Sequence, residues 1–184
     1  MVIFLWILLI IASLVLQTTL LSPERLGGTR IDLVLLLTIF AGLYGGVIKG
    51  GMTGFLGGLL GDSLSGGVLG IGTLSKTLVG SFSGFVGSKL YQKNILVQLT
   101  VSFLGILIHE LIYLWLMFFY RVSLPLLSVV VRVTVLTVVV NTLLAPPFFW
   151  GIRRILKIGD IRHKVIKVQR KRRKRHYPNI RITR

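Results

Sequence analysis

Long apolar runs, broken by short clusters of Gly, Pro and charge, set the pattern of this chain. Residues 2–21 are apolar except for Ser13, Gln17, Thr18 and Thr19. A helix needs about 20 such residues to cross a bilayer core of about 30 Å. No Lys or Arg precedes this run, and it is longer than the apolar core of a secretory signal, so it reads as a retained first helix. Pro23, Gly27 and Gly28 stop it. A second helix is predicted over residues 31–48, with a tight turn at Lys49, Gly50 and Gly51. Residues 51–91 hold only Asp62, Lys76 and Lys89 as charges. As one helix they would extend about 60 Å, twice the bilayer core, so they should cross twice. The break falls at 62–70, where Ser63, Ser65, Gly66 and Gly67 cluster. That leaves a short third span over 51–61, tilted or re-entrant, and a fourth over 71–91. Residues 95–119 give a fifth span and 126–150 a sixth, with Arg121 and Pro125 between them.

Composition agrees with the pattern. Apolar residues make up 53% and charged residues 15% of 184, well below the charge of an average soluble domain. With no Cys there is neither disulfide nor thiolate chemistry. The expected fold is an all-α polytopic membrane protein of six transmembrane helices, with residues 1–150 as the membrane domain and 151–184 as a basic cytoplasmic tail.

Charge sets the orientation. The tail holds 14 of the 22 basic residues and one acid, Asp160. Six spans put the tail, Lys49, Lys89 and Lys93 on one side, 17 basic residues, against Arg25, Arg30 and Arg121 on the other. The positive-inside rule then places both termini in the cytoplasm. Five spans would split the charge equally well, so the length of 51–91 decides the count. Within the tail, Ile155, Ile158, Ile161, Val165 and Val168 share one helical face. The run Arg170, Lys171, Arg172, Arg173, Lys174 and Arg175 follows, placed to contact anionic lipid. A basic run also attracts nucleic acid, but no base-reading element accompanies it.

Candidate chemistry is sparse. Gly42, Gly46, Gly50, Gly54 and Gly58 recur every four residues, as do Gly57 and Gly61. Small residues so spaced let membrane helices approach closely. They serve either packing within the chain or docking of another protein's helix, for which Gly54, Gly58 and Gly61 are the candidates. Glu110 and Arg132 are expected at similar depth in the fifth and sixth spans, forming an intramembrane ion pair with His109 or Asn141 as accessory groups. Asp62 should cap the turn after it, with Lys76 as its possible partner, and Asp32 should open the second helix. His109-Glu110 starts a zinc-type pair, but Tyr113 stands where the second His would be. No nucleophile elbow, phosphate loop or carboxylate pair at hydrolase spacing occurs. No enzyme, metal or cofactor is therefore expected.

Residues 54–72 form a Gly/Leu helix ending in Asp62, a Ser/Gly turn, then Leu69-Gly70 and a new helix. This resembles the central signature of the MreD family of rod shape-determining membrane proteins. Ile31-Asp32-Leu33 resembles the family's Pro-Asp-Leu start of the second helix, with Ile31 in place of Pro. The resemblance covers about residues 1–150. It implies a non-enzymatic scaffold subunit of the cell-elongation machinery for peptidoglycan, in the bacterial cytoplasmic membrane. The implied partner is the bitopic protein MreC, in a hetero-oligomer with a RodA-type glycosyltransferase, a class B penicillin-binding protein and the MreB filament. It also implies a fold similar to the substrate-binding subunits of energy-coupling-factor transporters. The alternative function is a vitamin-type transporter subunit, which needs a cavity lined by convergent polar groups.

Overall fold

The structure is a computed structural model, and it describes residues 2–19, 29–65, 68–92, 94–120 and 127–156. Among the described residues there are six helices: α1 (Val2–Thr19), α2 (Leu33–Gly45), α3 (Val47–Ser65), α4 (Ile71–Gly87), α5 (Ile95–Phe119) and α6 (Leu127–Leu156). The chain divides into two compact units, residues 1–146 and 147–184. The first loop from 20 to 28, Lys93, Arg121, Pro125 and the tail from 157 onward lie outside the described residues.

In the first unit α2 is the central helix. Every residue from Val34 to Leu43 is buried, which suits a sequence apolar on all sides but for Thr38, whose hydroxyl donates to the Val34 carbonyl at 2.8 Å. It packs against α1, α3, α4 and α5. At 13 residues it is about 20 Å long, shorter than a bilayer core. The carboxylate of Asp32 caps its start by accepting the Leu35 amide at 2.7 Å.

The chain turns earlier than the sequence pattern suggests. The break is Gly46, with φ of 90°, where glycine is favoured. Gly50 and Gly51, expected in the turn, lie inside α3 instead. They are needed there for close packing. A Cβ on Gly50 would overlap the Gly80 carbonyl and lie 2.6 Å from the Gly42 Cα. Three backbones, those of α2, α3 and α4, meet at these glycines. The contact continues along α3 and α4: a Cβ on Gly54 would strike the Lys76 carbonyl, and one on Gly58 would lie 2.5 Å from the Thr73 Cα. Close backbone approach through small residues is how membrane helices gain packing energy without a hydrophobic drive.

α3 also reaches further than the expected short span, 19 residues ending at Ser65. Facing outward are Ile48, Met52, Phe55, Leu59 and Leu64 on α3, Phe103, Leu111 and Trp115 on α5, and Val131, Val135 and Val139 on α6, all exposed. Helices so apolar on their outer faces suit a lipid surround. Two of them, Ile95–Phe119 and the segment Val129–Leu156, are long and apolar enough to cross a membrane.

Of the second unit the structure describes residues 147–156, the end of α6. Here Arg153 Nε donates to the Phe149 carbonyl at 3.3 Å, and the Arg154 guanidinium lies 5.2 Å from the Trp150 ring centre.

Candidate functional site: a polar junction at the start of α2

The most polar point inside the first unit is the start of α2. Lys76 Nζ meets Asp32 Oδ2 at 2.8 Å, with the two side chains 11% and 20% exposed. The other carboxylate oxygen of Asp32 is taken by the α2 cap. α6 supplies a third partner. Asn141 Oδ1 accepts the Asp32 amide at 3.0 Å, and Asn141 Nδ2 donates to the Arg30 carbonyl at 2.7 Å and to the Thr137 carbonyl at 2.8 Å. Thr137 Oγ1 accepts the Arg30 amide at 3.3 Å. One fully buried Asn thus pairs both an N–H and a C=O of the segment that enters α2, backbone groups that no helix ladder serves there.

His109 and Glu110 lie within electrostatic reach of this pair, and Arg30 within reach of Glu110. His109 is 5% exposed, and its Nδ1 has no hydrogen-bond partner among the described residues. It stands two residues past the centre of the 25-residue α5. Asn141 stands 14 residues, about 21 Å, after the start of α6. The junction therefore sits near mid-length of the two long apolar helices. α2 begins in the interior of the bundle rather than at its end.

Two smaller polar clusters close the ends. Asp62 reaches from α3 to the start of α4, where Oδ2 accepts the Gly70 amide at 2.9 Å, the Thr73 amide at 3.0 Å and the Thr73 hydroxyl at 2.9 Å. This is the capping role expected of it. At the far end of α2, the Tyr44 hydroxyl donates to the Gln92 carbonyl at 2.7 Å, and Gln98 Nε2 donates to Tyr44 Oη at 3.2 Å.

A family model for the rod shape-determining protein MreD matches residues 1–155. The chain belongs to the MreD family. Its role is accordingly in rod shape determination, and MreD is a family of shape-determining membrane proteins, not a known enzyme family. Comparison with curated proteins and with solved structures gives no match.

In this MreD chain several expected site residues stand elsewhere than the sequence suggested. Gly54 and Gly58 face the backbone of α4, so the groove they form is filled from within the chain; Gly61 looks toward Leu14 of α1, at 3.7 Å for an added Cβ. Lys76 pairs with Asp32, not Asp62. Glu110 and Arg132 are not joined. Among the described residues the ion pair present is Lys76–Asp32, and Arg132 is exposed. Two offsets separate them. Arg132 precedes Asn141 by nine residues, about 13 Å of helix, while Glu110 lies near the level of Asn141. Arg132 also stands opposite the buried face of Thr137, Val138, Asn141 and Ala145. Asn141, expected as an accessory to that pair, serves the entry of α2 instead. The basic run from Arg170 to Arg175 lies outside the described residues.

Sequence reasoning missed the Asp32–Lys76 pair and the Asn141 clamp. The available signal was Lys76 itself, a lone cation in an apolar span that needs an acid at its own depth. Asp32 does open the second helix, but a helix predicted over residues 31–48 gives no sign that its start lies at the depth of Lys76.

Proposed function

We propose that this MreD chain is a multi-pass scaffold subunit of the bacterial cell-elongation complex that binds an MreC-like single-span partner in the cytoplasmic membrane. The family match over residues 1–155 carries the reading. The polar junction supports it: Asp32 and Lys76 are spent on one another and Asn141 on backbone, as in a structural clamp. In this reading the membrane domain of residues 1–150 crosses six times, in an arrangement like the energy-coupling-factor substrate subunits. Both termini are cytoplasmic, and the 151–184 tail rests its basic residues on anionic lipid. The second crossing is completed by the segment that leads into α2, because α2 itself begins inside the bundle. The RodA-type glycosyltransferase, class B penicillin-binding protein and MreB filament join through the same hetero-oligomer.

Tagged protein purified from native membranes in mild detergent, with mass spectrometry of what comes with it, tests this reading. Stoichiometric recovery of an MreC-like single-span protein without a small molecule is expected. Recovery of a vitamin-like ligand or of ATPase subunits, without that protein, would contradict it and favour a transporter subunit.

A further inference from the structure

Arg132 is a cation on the outward face of an apolar helix, and the junction does not use it. It is exposed between the exposed Val131 and Val135, on the side of α6 opposite the buried Thr137, Val138 and Asn141. Among the described residues no acid pairs with it. An unpaired Arg within hydrocarbon costs several kcal/mol, so its level in the membrane matters.

Three observations place that level at an interface. Twenty uncharged residues, 133–152, separate Arg132 from Arg153, the number a helix needs to cross a bilayer core. Arg132 stands five residues after Leu127, about 7.5 Å of helix. That distance is within the reach of an extended Arg side chain, and helical side chains tilt toward the N-terminus, here toward that surface. Third, the end of α5 that leads to α6 exposes Trp115, Phe118, Phe119 and Tyr120, the residue types that gather at membrane–water interfaces.

We infer that Arg132 is a lipid-headgroup site: its guanidinium holds the phosphate of a phospholipid in the leaflet at the α5–α6 connection. Arg suits this ligand because its planar fork donates two parallel hydrogen bonds to phosphate oxygens. The start of α6 adds favourable helix-end charge on the same side. The site lies on the opposite side of the membrane from the basic tail in the six-span arrangement, so the two contact different leaflets.

The test uses the full chain in phosphatidylcholine nanodiscs containing phosphatidylglycerol with a photo-crosslinking headgroup. Adducts are mapped by mass spectrometry, so labelling near 132 is read separately from labelling in the tail. Adducts are expected in the segment 122–135. R132L should lower them about fivefold, as for one cation near an anionic surface, and R132K should retain most of them. Unchanged labelling in R132L would overturn the inference. So would competition by millimolar inorganic phosphate, which would mark a soluble phosphate ligand. Loss of a co-purifying protein in R132L with labelling intact would show that Arg132 answers a partner's carboxylate. Arg132 is exposed, so monodisperse elution of each variant is expected, and partner recovery from native membranes reports on the scaffold reading independently.

Discussion

Replacing Lys76 with Met leaves the Asp32 carboxylate among apolar helices without its cation. Breaking one side of a buried pair typically costs about 3–5 kcal/mol, whereas replacing both sides together is often near neutral. Thermal unfolding in detergent should therefore show a large loss for K76M and a substantial recovery for the D32N/K76M double variant. Additive losses would mean that the two side chains do not act as a pair. N141L should also destabilise, because it orphans the Asp32 amide and the Arg30 carbonyl. The residue types of the junction were legible: Asp32, Lys76, His109 and Asn141 stand out in apolar segments. Their pairing was not. Partner choice depends on relative depth, and depth depends on where α2 begins, which its continuous apolar sequence conceals.

At the scale of elements, the glycines of α3 differ in what they tolerate. Gly50→Ala should destabilise by about 1–3 kcal/mol, as overpacking against immovable backbone does. Gly61→Ala, whose added methyl meets only the Leu14 side chain at 3.7 Å, should stay near wild type in the same melt. Equal effects would contradict the packing described. Asp62→Ala removes a cap from α4 and should cost about 0.5–2 kcal/mol. The bounds of α5 could be read directly from the sequence, because polar residues flank one apolar run. The α2–α3 turn could not. Gly42, Gly46, Gly50 and Gly51 all punctuate that stretch, and only packing against α4 decides that Gly46 is the break while the others are contact points.

For the whole molecule, the six-crossing arrangement makes a clean prediction because the chain has no Cys of its own. Single Cys residues introduced at Lys49 and Arg184 should react with an impermeant thiol reagent in inside-out membrane vesicles but not in intact spheroplasts. One at Tyr120 should react from the outside. Labelling of 49 and 120 from the same side would contradict six crossings.

The most direct test of the central claim, that the junction has a structural rather than a chemical role in shape determination, is rescue of rod shape in cells lacking their own copy. Wild type and D32N/K76M should both restore rods, with recovery of the MreC-like partner, while K76M should not. A D32N/K76M protein that is folded and partner-bound yet leaves cells round would contradict the account, because it would show that the charges themselves, and not the clamp they form, are required.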